Sequence, residues 1–345
     1  MSGKISRNGR LVQAVVVVFG LILQSSLANA ADKVKIGVIG ILAEAGLYVA
    51  AEHGYFAKEG LDVEFVKGLF GPDAFPALAT GQVDAVGGAF GPEMINAVER
   101  GVNVRIAGGL SSYVPGFESG FLMVRKELID QGKVKDFADL KDLKLAILEP
   151  RPNLTDYFAT RYLKLGGLTL NDVQTVNVPF PSMITALKTG GVDAAHVSEP
   201  LATIAVDAQA AVKFKPVNTY APNGLTVAVL QFGTNLLEKS RETGERVIAA
   251  YMQGARDYLD ALKKPEGRGE MAEILMKYTP VKNRALYDRI VFAYAAPDAG
   301  IDMTGLQDMA NYYASVLGSK PVDAKTLVDV GFAQNALKRL GAYAH

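Results

Sequence analysis

The sequence predicts an α/β protein of two doubly wound lobes, joined by two crossover strands, with C-terminal helices packed on the first lobe. Three observations carry this expectation. Apolar strand-type runs alternate with helix-spaced segments twice along the chain, first from Lys33 to Gly88 and again from Leu143 to Val197. The stretch "ALATGQVDAV" at Ala77–Val86 returns as "ALKTGGVDAA" at Ala186–Ala195, an offset of 109 residues that suits two similar subdomains better than a solenoid. Beyond Thr234 the pattern is helical throughout.

In the first copy "KVKIGVIG" reads as a buried strand, "GLYVAAEHGYFAKEG" as a helix stopped at Gly60, and "LDVEFV" as a second strand. "DAFPALATG" follows as a short helix ending at Gly81, and "VDAVGG" as a third strand. The second copy repeats the order with "LKLAIL", "TDYFATRYLKLGG", "VQTVNV", "SMITALKTGG" and "VDAAHV". Such alternation implies parallel sheets covered on both faces. Gly120–Val124 and Leu225–Phe232 are apolar runs suited to strands that pass between lobes, which places lobe 1 at residues 31–120 and 226–345 and lobe 2 at residues 121–225. Two crossings make a hinge that opens and closes about a defined axis. Further on, "GERVIAAYMQGARDYLDALKK", "EMAEILMKY", "ALYDRIVFAYA", "GLQDMANYYASVLG" and "TLVDVGFAQNALKRLG" read as helices, with an exposed loop at Pro265–Gly269.

Composition narrows the function. The 345 residues carry 36 Lys plus Arg and 36 Asp plus Glu, so no global charge steers the protein to nucleic acid. There is no cysteine, which excludes disulfides, thiolate nucleophiles and Cys-based zinc sites. Lys4, Arg7 and Arg10 precede an apolar stretch at Ala14–Leu23 and then Ala28-Asn29-Ala30, the pattern of a signal peptide (residues 1–30) cleaved after Ala30, with export to the periplasm. The chain contains neither the dinucleotide nor the P-loop glycine pattern, and no nucleophile-elbow serine. His196 stands three residues before Glu199, a spacing weighed against a metal site and taken instead as a strand-end His beside a loop carboxylate. No cofactor, metal or catalytic residue is expected.

In parallel α/β sheets, ligands bind beyond the carboxyl ends of the strands, where helix N-termini present free N–H groups. In lobe 1 that places Glu44, Tyr48, Phe70, Phe90, Ser112 and Tyr113 near a ligand, with Glu93 beside them. In lobe 2 it places Arg151, Asn153, Thr155, Phe180, Ser198 and Glu199 there. Asn153 and Thr155 also look like helix N-cap residues, and each aromatic has core packing as its plain alternative. Asp84 and Asp193 are expected to satisfy backbone donors in the tight helix-to-strand turns. Glu44, Glu93, Glu149 and Glu199 outnumber Arg151 around this region, which disfavours a small oxyanion and favours an aromatic or heteroaromatic organic solute. An organic sulfonate or carboxylate held by Arg151 is the rival.

Several of these stretches resemble one family. "EHGYFAKEGLDVEFV" at Glu52–Val66, the twin "VDA" elements, "LKLGGLTLNDV" at Leu163–Val173 and "SEP" at Ser198–Pro200 are similar to the solute-binding proteins of ABC importers. The subgroup is the one that includes sulfonate-, taurine- and nitrate-binding proteins and binders of thiamine-pyrimidine precursors. The resemblance covers the whole mature chain and implies a type II periplasmic binding protein fold. It further implies a monomer that captures a small-molecule ligand by lobe closure and delivers it to a membrane permease powered by a separate ATPase. Relatives that synthesise the thiamine pyrimidine carry a cysteine-rich motif that this chain lacks. A periplasmic enzyme or a sensor module on the same fold remains the alternative from another class.

Overall fold

The computed structural model describes residues 30–69 and 71–344; the expected leader, residues 1–29, lies outside the described residues. The strands are β1 (Asp32–Val38), β2 (Leu61–Lys67), β3 (Ala85–Gly88), β4 (Arg105–Tyr113), β5 (Gly120–Arg125), β6 (Lys144–Ile147), β7 (Gln174–Asn177), β8 (Ala194–Ser198), β9 (Ala211–Pro216) and β10 (Leu225–Phe232). The helices are α1 (Ala45–Glu52), α2 (Tyr55–Lys58), α3 (Ala74–Thr80), α4 (Pro92–Glu99), α5 (Lys126–Asp130), α6 (Leu154–Leu165), α7 (Phe180–Thr189), α8 (Leu201–Asp207), α9 (Arg241–Leu262), α10 (Pro265–Tyr278), α11 (Arg284–Tyr287), α12 (Met303–Leu317) and α13 (Gly331–Leu340).

Two five-stranded sheets have the same plan, β2-β1-β3-β10-β4 and β7-β6-β8-β5-β9. In each, the strand in fourth place runs antiparallel to its neighbours, so the sheets are mixed rather than purely parallel. That strand is the first one laid down after the chain changes lobe. The apolar runs at Gly120–Val124 and Leu225–Phe232 therefore do not cross between lobes. Each lies wholly within one sheet, and the crossings fall at residues 114–119 and 217–224. The reason is burial: every residue of β10 and all but the last of β5 is buried, which requires a central position between two other strands.

The repeated "VDA" element has a visible task. Asp84 Oδ2 accepts from Lys35 N at 2.8 Å, and Asp193 Oδ2 accepts from Lys144 N at 3.0 Å. Each aspartate's own N–H is donated back to the same partner's carbonyl, at 2.9 and 2.8 Å. Its carbonyl then accepts from the antiparallel strand's side, from Gly233 N and Arg125 N respectively. The second carboxylate oxygen takes a side chain from that same side, Asn235 Nδ2 at 2.8 Å or the Arg125 guanidinium at 3.0 Å. One residue type thus ties three strands together at the same point of both sheets. The carboxylates' main-chain donors belong to the parallel neighbour strand, Lys35 in the middle of β1 and Lys144 at the start of β6, not to the helix-to-strand turn itself.

The chain departs from its local pattern in four places. Pro265–Gly269 is the first turn of α10, with proline in the first helical position where its missing N–H costs nothing. The segment "ALYDRIVFAYA" forms only the single turn α11 and is irregular after it; the residues that follow bond to the outer edge of β4, with Ala296 N donating to Leu110 O and Gly109 N to Ala299 O. An open sheet edge offers these bonds and overrides helical spacing. A Cβ on Gly109 would lie 2.1 Å from Gly300 O, so the close approach requires glycine there. Gly54, at φ 70°, divides the expected first helix into α1 and α2, and "TLVDVGFAQNALKRLG" splits into a 3-10 turn at Ala324–Leu327 and α13.

Replacing Asp84 or Asp193 with alanine should destabilise the protein by about 1–3 kcal/mol each, because main-chain donors of the neighbouring strand lose their acceptor. The two aspartates share no partner, so the losses should add in the double variant, as urea unfolding would measure. An effect at one site only would break the equivalence of the two copies.

Candidate functional site

In the first sheet β1 is flanked by β2 and β3, so the chain reverses direction across the sheet between β1 and β3. Such a switch point leaves a crevice beyond the carboxyl ends of the strands. A cavity of about 120 Å³ lies there, lined by Ile39 after β1, by Gly87, Gly88 and Ala89 at the end of β3, by Gly71, Ala74 and Phe75 at the start of α3, and by Val86, Glu93 and Gln231. Glycines form part of its floor: a Cβ on Gly87 would lie 3.1 Å from Glu44 Oε1. Gln231, on β10 beside Val86, is 4% exposed, and its buried Oε1 has no hydrogen-bond partner among the described residues.

Glu93 follows Pro92 in the first turn of α4. Its carboxylate folds back over Gly91, where a Cβ would meet both oxygens at 2.4 Å, and burial pushes its pKa up, offset only in part by a hydrogen bond from its own backbone N–H.

Glu44 is fully buried and turned inward. It accepts from Ile39 N (2.9 Å), Gly40 N (2.9 Å), Ile41 N (3.1 Å) and the Tyr48 hydroxyl (2.6 Å). Burial raises its pKa against the pull of those four donors. The loop after β1 would otherwise aim three N–H groups at a bound anion, and here the chain's own carboxylate holds all three.

Tyr48 stacks on Tyr278 with ring centroids 4.6 Å apart, and burial first, then Glu44, drives its hydroxyl pKa far up. Phe90 is buried among core side chains, its carbonyl accepting from Tyr313 and its ring 5.8 Å from that residue's. Phe70 lies outside the described residues. Ser112 donates to Thr226 Oγ1 at 3.3 Å. Tyr113, at the first crossing, has its hydroxyl 3.4 Å from Ser198 Oγ, and burial raises its pKa. A Cβ on Gly120 would come within 2.5 Å of that hydroxyl, so glycine makes room for the ring.

The second lobe has its switch point between β6 and β8, and Arg151, Asn153, Thr155, Ser198 and Glu199 gather around it. Asn153 caps α6, its Oδ1 accepting from Thr155 N at 2.9 Å, and the Thr155 hydroxyl donates to the same oxygen at 2.7 Å. Asn153 N donates to Asp156 at 2.6 Å, forming a capping box around a carboxylate that is itself fully buried. Arg151 Nε pairs with Asp156 at 3.1 Å, and Tyr312 on α12 donates to the same oxygen at 3.0 Å. Glu199 accepts from Thr203 N and Oγ1, at the first turns of α8, and from Lys213 Nζ at 2.5 Å. Phe180 opens α7, half-buried, and Pro179 precedes it as N-cap. The candidates therefore lie around the two switch points, but most of their polar atoms are engaged within the protein. Asp156, Phe75 and Gln231 were not among them.

The lobes also touch outside the crossings. Tyr157 on α6 donates to Asp308 on α12 at 2.6 Å, and Arg161 pairs with the same carboxylate. On another side Arg289 grips Asp207 of α8 with two bonds of 2.7 and 2.5 Å. A larger hollow of about 360 Å³ opens there, lined by Thr203, Val206, Asp207, Val212, Lys213 and Arg289. It lies beside the interior of β9 rather than at strand carboxyl ends, and both its cations are already paired, so the smaller cavity at the switch point is the better candidate site.

Two lobes of one topology, crossed twice by the chain and opening at their switch points, define the two-lobed α/β class of ligand-binding protein. The chain belongs to the NMT1-like family, which it matches over residues 28–276. It is 28% identical over 191 residues to the nitrate/nitrite binding protein NrtA of Nostoc, a match that takes in 51% of this chain and only 43% of that relative. The fold is shared with the ligand-binding component of an ABC-type import system from Staphylococcus aureus, solved with zinc bound (TM-score 0.70, 15% identity, 88% of this chain and 99% of that one). It is shared equally with the periplasmic aliphatic sulphonate binding protein SsuA of Escherichia coli (TM-score 0.68, 18% identity, 86% and 92%).

His196, on β8, is buried, with Nδ1 2.9 Å from the Tyr220 hydroxyl and its ring 4.4 Å from that of Phe158. Burial lowers its pKa from 6.5 to about 3. The unfolded chain therefore takes up a proton that the folded protein refuses, so the stability His196 contributes is present above about pH 6.5 and is lost as pH falls towards about 3. Chemical unfolding of the unmodified protein should weaken across that window, and His196→Gln should flatten the decline; identical slopes would remove His196 as its cause.

Proposed function

We propose that this chain is the periplasmic substrate-binding component of an ABC importer, capturing a small organic solute between its lobes and handing it to a membrane permease driven by a separate ATPase. The observation that supports this most is the pairing of two topologically equivalent sheets, each with its switch point at strand carboxyl ends, through two chain crossings that act as a hinge. The family membership agrees with it, and so do relatives and fold neighbours whose names are those of binding components. Export after cleavage at Ala30 places the protein where such a component works. The binding unit is a monomer and performs no chemistry on its ligand.

Closure follows from differential affinity. A solute touching both lobes binds the closed arrangement better and shifts the population to it. Polar contacts between α6 and α12 would hold that arrangement alongside the ligand, through Tyr157, Arg161 and Asp308. The carboxylates at the cleft favour an organic solute with hydrogen-bonding edges over an inorganic oxyanion.

The test combines a thermal-shift screen with small-angle X-ray scattering. A solute at a hundred times its dissociation constant adds about 2.7 kcal/mol of stability, enough to move the midpoint by a few degrees. That same solute should reduce the radius of gyration and be recovered chemically unchanged. Recovery of a converted product would instead favour an enzyme on this fold.

A further inference from the structure

We propose that two clasps between the lobes, on opposite faces of the second sheet, hold part of the population closed before any solute arrives, so that their strength sets how readily the cleft opens. The inference deepens the solute-capture reading above by naming what regulates closure.

The first clasp is reciprocal. α6 belongs to lobe 2 and α12 packs on β10 of lobe 1, and each helix presents a carboxylate that accepts a tyrosine hydroxyl from the other. Tyr312 of α12 donates to Asp156 at 3.0 Å, and Tyr157 of α6 donates to Asp308 at 2.6 Å. The two rings meet edge to face, 5.6 Å apart. Arg161 pairs with Asp308 while its guanidinium lies 4.8 Å from the Tyr157 ring centroid. When the helices part, Asp156 loses one donor only, because Arg151 and Asn153 N belong to its own lobe. Each tyrosine bond is therefore worth a net hydrogen bond, about fivefold in an equilibrium, which biases the lobes towards closure without locking them.

The second clasp is ionic and open to water. Arg289 follows α11 in lobe 1 and donates to both oxygens of Asp207, at the end of α8 in lobe 2, at 2.7 and 2.5 Å. Its side chain is 54% exposed and that of Asp207 40%, and the hollow of about 360 Å³ opens beside the pair, so salt reaches both charges. Apolar contacts seat the pair: Val291 packs on the lobe 2 cluster that holds α8, and Ile204 of α8 packs on the main cluster of lobe 1. The clasps grip opposite faces of the second sheet. Leu122 and Val124 of β5 face the side of α6, whereas Phe121 and Met123 face the side of α8. A rotation about the crossings that separates the lobes must therefore break one clasp or both. Every contact named is between protein groups, so the bias towards closure acts with or without solute and lowers the conformational cost that binding must meet.

The chain has no cysteine of its own, so spin labels on Leu165→Cys and Val316→Cys, exposed positions near the ends of α6 and α12, report the separation of the two helices. Distance distributions recorded with no solute added give the closed-to-open ratio. Tyr157→Phe and Tyr312→Phe remove one hydroxyl each and should each lower that ratio about fivefold. Raising sodium chloride from about 0.1 M to about 1 M, which cuts the screening length from about 10 to about 3 Å, should lower it in the otherwise unmodified protein. Arg289→Asp should lower it at low salt and abolish the salt response, and adding Asp207→Arg, which exchanges the charges, should restore both. Because the tyrosine variants preserve ring and packing, they keep the test decisive if a charge variant misfolds. A distance distribution indifferent to both hydroxyls and to salt would overturn the clasps, and so would an unmodified protein found open throughout. The measurement uses no solute, so either of those results leaves the import reading standing.

Discussion

Both lobes are organised around one interaction, a carboxylate that holds a main-chain donor of the parallel neighbour strand. Asp84 and Asp193 each join their own strand to a parallel neighbour and to the antiparallel strand that arrives from the other lobe. The order of the sheets follows from this clamp, because it fixes β3 between β1 and β10 and β8 between β6 and β5. With those positions fixed, both switch points fall at the carboxyl ends of the central strands, opposite the clamps. The cavity is thus a consequence of the same constraint that sets the register. Each sheet also takes its fourth strand from just after a crossing, so the hinge is built into the sheets rather than appended to them.

Carboxylates recur at the ligand end for a different reason. Helix N-termini carry partial positive charge and unpaired N–H groups, which either bind an anionic ligand or must be satisfied internally. Here the chain satisfies them itself at α6 through Asp156 and at α8 through Glu199, and Glu44 does the same for the loop that leads to α1. A binding protein built in this way has its positive potential neutralised before any solute arrives. Neighbours named for nitrate and sulphonate binding share the fold, which leaves the choice of ligand to the side chains of each cleft.

Much of the fold was legible because its elements are locally encoded. The "ALATGQVDAV" repeat announced two lobes, glycine stops marked the ends of α3 and α7, and Asn153 announced the cap of α6. The misreadings came where tertiary context decides. Leu225–Phe232 looked like a crossing because nothing in an apolar run says which sheet buries it, and "RIVFAYA" carried helical spacing until the free edge of β4 drew it straight. The region of the site was legible from strand ends, but the state of each side chain was not. Glu44 and Arg151 read as ligand contacts, and only packing shows their internal partners. Gln231 had a signal that went unused, an amide inside a buried strand whose other residues are apolar but for Thr226.

Native mass spectrometry of protein purified gently from cells that produce it, followed by release and identification of any retained solute, addresses the central claim most directly. The account predicts a single small organic solute, chemically unaltered and released only when the protein unfolds. Recovery of a converted product, or of an inorganic oxyanion, would contradict it.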